Sequence, residues 1–175
     1  MSVTAQQIAA AATLKAASHL GDQEDASHDN AGPQVDRFEA YVGVDHASWC
    51  MAFACFCFGK AAESMGTTLG AVNLIKTASC AVQADHARAN GHLVSAPAAR
   101  GSLKPGWLML VHEGGDYHHT GVVMSFNQAA GTFQTVEGNT NTDGGREGYE
   151  VARQTRRIGD MDGDQPKYAF IQTFN

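Results

Sequence analysis

Four side chains of this 175-residue chain have the types that acyl-transfer chemistry needs: Cys50, His119, Glu137 and Asn139. A cysteine thiolate is a nucleophile. A histidine can take the thiol proton, or pair with the thiolate as imidazolium, and later protonate a leaving amine. A carboxylate or carboxamide that accepts the second ring N–H holds the imidazole in one tautomer. Three of the four fall on two runs, HHTGVVMSF and TFQTVEGNT, that read as the strands of a β-hairpin. With the five residues Asn127 to Gly131 as its loop, His119 lies opposite Asn139 and Gly121 opposite Glu137. Residues at even separation share a face, so His119, Glu137 and Asn139 converge, with Gly121 leaving space beside them. A one-residue slip would undo this. Taken singly these residues are ordinary: a cysteine is usually a small buried hydrophobe, and Glu137 and Asn139 suit any turn.

Cys50 owes its interest to its position. SWCMAFACFCFGKAAESMG, Ser48 to Gly66, reads as a helix whose apolar residues (Cys50, Phe53, Ala54, Cys57, Phe58, Ala61) recur with helical period. Its other face (Met51, Ala52, Cys55, Phe56) is also apolar, which predicts burial all round. Ser48 is the expected N-cap and Gly66 the stop. A thiol in the first turn sits among unpaired N–H groups at the positive end of the dipole, which favours the thiolate. The Cys50 backbone N–H is then a natural oxyanion donor. Phe53, Cys57 and Phe58 form the buried stem that holds it.

The remaining chain supplies the scaffold. Residues 3–20 read as an alanine-rich helix with a stripe of Ile8, Ala11, Ala12, Leu14, Ala17 and Leu20, stopped by Gly21. A polar loop, GDQEDASHDNAGP, leads to a second helix, PQVDRFEAYVG, with Val35, Phe38, Ala40 and Tyr41 available for packing. Thr67 to Gly91 is expected to be helical in part (Ala71 to Ile75, Ala78 to Arg88), and Leu93 to Lys104 to be loop. From Pro105 the texture changes to WLMLVHE, HTGVVMSF, GTFQTVEGN, EVARQTRRI and YAFIQTF, separated by GGD, NQAAG, GNTNTDGG and GDMDGDQP. Helices followed by strands indicate an α+β domain, the nucleophile helix packed on an antiparallel sheet of about five strands. Residues 1–175 read as one domain.

Composition narrows the function. A net charge of −6 and a pI near 5.7 argue against a nucleic-acid binder. No apolar run approaches the ~18 residues of a membrane span, and the N-terminus lacks a basic region followed by an uninterrupted apolar core. Synthesis in a reducing cytoplasm without a signal peptide is therefore expected, and Cys50, Cys55, Cys57 and Cys80 are read as thiols.

The segments SWCMAFACFCF, KPG, HTGVVMSF and TVEGNTN, in this order, resemble the CHAP family of cysteine, histidine-dependent amidohydrolase/peptidases. The family pattern is a Trp-Cys helix opening, a Pro-Gly before a strand, a His-x-Gly strand and a Glu-Gly-Asn strand end. The upstream DNAGPQVDRFEAYVG is similar to the lead-in of members from phage lysis and bacterial cell-wall hydrolase proteins, so the likeness runs from about residue 21 to 175. It implies a papain-like fold, with Cys50 as nucleophile and His119, rather than His118, as base. Glu137 aligns with the acidic third member and Asn139 with the asparagine; either could orient His119. Trp107 stands where the family commonly has aspartate, a change that could alter the groove wall. The implied substrate is peptidoglycan, cut either between the lactyl group and the first alanine or within the stem or bridge. The implied setting is a phage endolysin or a delivered effector acting on the cell wall. A monomer without cofactor is expected, with an immunity or inhibitor protein as a possible partner. Two alternatives stand beside this: a cysteine peptidase or deamidase acting on a protein, and a catalytically silent binding module of the same fold.

Other signals carry less. The C-x-C pair Cys55 and Cys57 matches no common zinc spacing, and on a helix the two point apart. Asp160, Asp162 and Asp164 alternate as in a calcium loop, but the glycine is misplaced and no bidentate glutamate follows. Asp22, Glu24, Asp25 and Asp29 lie in what reads as a solvated loop. Arg153, Arg156 and Arg157 could line a groove for anionic groups; more often such residues are a strand's wet face.

Overall fold

Helix α1 (Ala5–Ser18) starts where its sequence carries a cap. The Thr4 hydroxyl accepts from the Gln7 N–H at 3.2 Å, and the Gln7 side chain accepts from the Thr4 N–H at 2.8 Å. This capping box satisfies two groups that a helix start otherwise leaves open. Its buried face is Ile8, Ala9, Ala12 and Ala16, while Leu14 is exposed. The predicted stripe is thus rotated, because alanines let the helix backbone come close: a Cβ on Gly106 would stand 2.9 Å from that of Ala9. Helix α2 (Val35–Val42) ends on Gly43 in the left-handed region. It buries Val35 and Phe38 as expected; Ala40 faces solvent and Glu39 is buried instead.

In the computed structural model, which describes residues 3–141 and 148–175, helix α3 (Cys50–Ser64) is the central element. Residues Cys50 to Gly59 are all buried, as the two-sided apolar pattern predicts. Its N-cap is Trp49, not Ser48, and no side chain caps it; Ser48 stays exposed. Trp49 sits there because its ring is needed in the core, where it is fully buried against Phe38. After α3 the chain makes a 3-10 turn (Leu69–Val72) in place of the expected helix over 71–75, then α4 (Cys80–Ala89), opened by the Ser79 hydroxyl accepting from the Val82 N–H.

The stretch expected to be loop, 93–104, contains strand β1 (Leu93–Ser95) and a short helix α5 (Ala96–Ala99). Five further strands follow the predicted runs: β2 (Leu108–Glu113), β3 (Asp116–Asn127), β4 (Thr132–Thr140), β5 (Glu150–Arg157), and β8 (Tyr168–Ile171) after a small ribbon of β6 (Met161–Asp162) and β7 (Gln165–Pro166). The main sheet has six antiparallel strands in the order β1-β8-β2-β3-β4-β5. This is the expected α+β architecture with one strand more than counted. Of the predicted turn run over 138–145, residues 142–145 lie outside the described residues. Among the described residues, no helix is long and apolar enough to cross a membrane.

The β3–β4 hairpin decides where the site residues fall. Its loop is four residues, not five, since Asn127 pairs with Thr132. A bulge at Met124 then restores the count: Val123 pairs with Thr135 and Val122 with Val136. Beyond the bulge the register is the one predicted, and one further step sets Gly121 beside Glu137. The sheet meets α3 at Gly138, where a Cβ would come within 2.6 Å of the Trp49 ring and 2.8 Å of Phe53. Only glycine allows so close an approach.

Candidate active site

Cys50 is the first residue of α3 and is 3% exposed. The chain leading into it is fixed by two buried carboxylates. Glu39 accepts from the His46 N–H at 3.1 Å and the Ala47 N–H at 2.7 Å. Glu24 accepts the Trp49 indole N–H at 2.8 Å and the Asn30 N–H at 3.2 Å. The acidic run of the first loop is therefore not uniformly solvated: Glu24 is a buried anchor for the residue before the thiol.

His119 comes from β3 and is 4% exposed. Its Nε2 lies 2.7 Å from Glu137 Oε2. That contact leaves Nδ1 as the ring nitrogen available to the thiol, and His119 is among the groups that act on Cys50 electrostatically. Glu137 is fully buried and its four bonds use both oxygens. Arg156 on β5 reaches it twice, Nε to Oε1 at 2.7 Å and Nη2 to Oε2 at 2.6 Å, and Thr135 donates to Oε1. A bidentate guanidinium behind a carboxylate is the strong form of such a pair. The line thus runs Cys50, His119, Glu137, Arg156.

Asn139 takes a different place. It has φ +51° at the point where the β4–β5 register shifts, so the strand no longer carries it on the face of His119. Its carboxamide satisfies its neighbours in one orientation: the nitrogen donates to the Gly148 carbonyl, and the oxygen accepts from the Trp49 N–H at 3.2 Å. Glu137 holds the imidazole, and Asn139 holds the entry to α3. His118 is exposed; its carbonyl lies 3.9 Å from Cys50 Sγ.

The electrostatics separate Cys50 from the other cysteines. Its thiol is held well below the ordinary value, first by a hydrogen bond from Cys80, then, against the cost of burial, by the hydrogen bond and charge of His119 and by the Met51 N–H. Burial instead raises Cys55 to about 11 and pushes Cys57 up as well. Burial alone would lower His119, but its bonds with Cys50 and Glu137 raise it to about 10. Burial would raise Glu137, yet Arg156 and then His119 bring it down to about 2. The arrangement favours a thiolate–imidazolium pair backed by an ionised carboxylate.

Cys50 opens on a cavity of about 280 Å³ lined by Ser48, Ser79, Cys80, Asp116, His118 and Asn139. Asn139 also borders a larger hollow of about 740 Å³ under the loop carrying Glu24, Asp25 and His28. The thiol therefore lines a polar cavity, with a second hollow on the other side of Asn139.

Two members of this site were not assigned a role from sequence. Arg156 belongs to the cationic run set aside as groove or wet face; Arg153 and Arg157 are exposed, but Arg156 is half-buried against Glu137. The alternation of β5 hints at this, because Gln154 and Ala152 on the same face are buried. Cys80 had no signal beyond its residue type. Trp107, flagged as a possible change in the groove wall, is buried, and its indole N–H donates to the Phe174 carbonyl at 3.2 Å. Asp162, weighed as a calcium ligand, accepts from His112 Nδ1 at 3.0 Å and the Gly114 N–H at 3.1 Å.

Gly121 gives a direct check on the geometry. A Cβ there would lie 2.5 Å from Glu137 Cγ and 3.2 Å from Cδ. Gly121→Ala is expected to destabilise by about 1–3 kcal/mol and to push Glu137 away from His119. Thermal unfolding and the rate of Cys50 alkylation at neutral pH read the two effects; an unchanged rate would mean that Glu137 does not govern the imidazole.

Comparison with known proteins bears on the fold and the family. The chain resembles the solved structure of Ly7917 with a TM-score of 0.50 at 16% identity, covering 97% of this chain and 62% of that one. This likeness concerns the fold, and the chain spans less than two thirds of the length of Ly7917. No curated protein matches. The family model of the CHAP domain matches residues 41–139, a span that holds Cys50, His119, Glu137 and Asn139 but not Arg156. With more than half of its length under that match, on a helix-then-sheet frame of the papain-like kind, the chain belongs to the CHAP family, whose domains are typically amidase or peptidase hydrolases.

Proposed function

We propose that this protein hydrolyses an amide bond of peptidoglycan through a thioester on Cys50. The observation that carries the reading is the buried His119–Glu137–Arg156 chain beside Cys50, a thiol at a helix N-terminus that lines a polar cavity and whose pKa is lowered by His119. In the proposed reaction the Cys50 thiolate attacks the amide carbonyl, and the oxyanion forms beside the Cys50 N–H. His119, protonated at Nδ1, gives that proton to the departing amine. It then takes a proton from water, whose oxygen attacks the thioester; the sulfur leaves as thiolate as the acid forms, and His119 keeps the proton, which restores the starting ion pair. Glu137 keeps Nε2–H in place throughout.

Two separate polar hollows bordered by the same residue, Asn139, are compatible with an extended polymer as substrate. The bond cut is either that between the lactyl group and the first alanine or one within the stem or bridge. The setting in this reading is a phage endolysin or a delivered effector acting on the cell wall, as a monomer, with an immunity or inhibitor protein as a possible partner.

The test is to incubate purified peptidoglycan with the protein and with Cys50→Ala, and to identify the released ends by mass spectrometry. New lactyl carboxyls with free alanine amines indicate an amidase, and new stem-peptide ends an endopeptidase. The Cys50→Ala protein is expected to release neither. If the unmodified protein releases nothing, the reading fails, and a peptidase or deamidase acting on a protein takes its place.

A further inference from the structure

Two helices begin at the same spot. Cys50 is the first residue of α3, Cys80 is the first residue of α4, and their sulfurs lie 3.8 Å apart. Both are free thiols, and Cys80 is 5% exposed. The first-turn N–H groups and the positive dipole ends of both helices therefore act on one pair of sulfurs. The other two cysteines are explained by packing: Cys57 is core, and Cys55 donates to the carbonyls of Ile75 and Thr77 at 3.4 and 3.5 Å. Cys80 instead meets the Cys50 sulfur and lines the same cavity.

We propose that the Cys80 S–H donates a hydrogen bond to the Cys50 sulfur and is a working member of the site, stabilising that sulfur as thiolate. The inference rests on the reading of Cys50 as nucleophile. The direction of donation follows from the protons available. His119 takes the Cys50 proton, which leaves an acceptor-only sulfur. Cys80 keeps its own, because the adjacent Cys50 thiolate, burial and the charge of Asp116 oppose a second anion and push it well above the ordinary thiol value. The groups facing Cys50 are then accounted for element by element. His119 comes from β3 with Glu137 and Arg156 behind it. The Met51 N–H and, more distantly, Cys55 come from α3, and Cys80 from α4. Asp116 and His118 border the cavity. Cys80 is the donor that can be removed without breaking the ion pairs behind His119. It would serve twice, raising the fraction of thiolate before attack and easing departure of the sulfur when water cleaves the thioester.

The experiment compares Cys80→Ala and Cys80→Ser with the unmodified protein. The pH dependence of Cys50 alkylation by iodoacetamide is followed by mass spectrometry at that residue, alongside thermal unfolding. The unmodified protein is expected to react as thiolate well below the ordinary thiol midpoint of about 8.5. Loss of one hydrogen bond to the charged form should raise the Cys80→Ala midpoint by about one pH unit, a tenfold fall in thiolate at a given pH. Cys80→Ser, which retains a donor, should fall between. Three coincident midpoints would overturn the proposal. Should Cys80→Ala not fold, phenylarsine oxide tests the contact in the unmodified protein, because it bridges only adjacent thiols. Joint protection of Cys50 and Cys80 from alkylation supports the proposal, and protection of neither overturns it. No substrate enters these measurements, so their failure is distinguishable from failure of the peptidoglycan assay.

Discussion

Glu137→Gln is expected to lower turnover by about 10²–10⁴-fold while leaving Cys50 in place. The carboxylate is surrounded by donors: His119 Nε2–H, two N–H groups of Arg156 and the Thr135 hydroxyl. It can serve all of them because an ionised carboxylate only accepts. A glutamine amide of the same shape would turn an NH₂ toward one of these donors. Either the Arg156 fork opens, or the imidazole rotates or changes tautomer, and in each case Nδ1 no longer faces the sulfur with the right proton. The charge effect acts in the same direction. Glu137 is one of the groups that raise His119 to about 10, so its neutral replacement lowers the imidazolium pKa and raises that of the Cys50 thiol. The variant should therefore show a lower rate of release from peptidoglycan and a Cys50 alkylation profile displaced to higher pH. Circular dichroism reports whether the fold is kept. A folded variant with unchanged rate and profile would remove Glu137 from the mechanism.

How far the sequence reveals this site can be judged residue by residue. Cys50 at a helix start and the shared face of His119 and Glu137 follow from local periodicity, since helix and strand geometry fix neighbours a few residues apart. The hairpin register was reached through two deviations that cancel, a loop one residue shorter and a bulge at Met124. Pattern alone does not reveal such compensation. Asn139 left the predicted face because its left-handed backbone breaks the alternation. Arg156, Cys80 and Glu24 are partners supplied from 19, 30 and 25 residues away from the groups they serve. Each lies on another strand, helix or loop, so no spacing rule within one element could pair them. Strand β1 was missed because three residues are too few to show alternation. The alanine face of α1 was missed because small residues bury by close approach rather than by hydrophobic bulk.

Arg156→Met should be the most destabilising of these changes, by about 3–5 kcal/mol, because it leaves a buried carboxylate without its main counter-charge. For a chain of this length that corresponds to a fall in Tm of about 10 °C or somewhat more. The loss should depend on pH. Glu137 titrates in the folded protein at about 2, against an ordinary value of 4.5. Its ionised form therefore contributes stability that is complete above the ordinary value and is lost as pH falls toward 2. Without Arg156, the largest of the favourable influences on Glu137, the folded-state value rises and that contribution shrinks or reverses. The Tm difference between the two proteins should therefore be widest at neutral pH and close as the medium is acidified. His119 governs the other limb. Its folded value near 10 exceeds the ordinary 6.5, so its stabilisation is complete below 6.5 and is lost as pH rises through 10. Arg156→Lys separates charge from geometry: an ammonium keeps the charge but not the two parallel bonds, so its Tm should fall between the other two. Unfolding curves for all three proteins from pH 3 to 10 decide the matter. Parallel Tm profiles would show that the Arg156–Glu137 pair does not stabilise the ionised carboxylate on which the orientation of His119 depends.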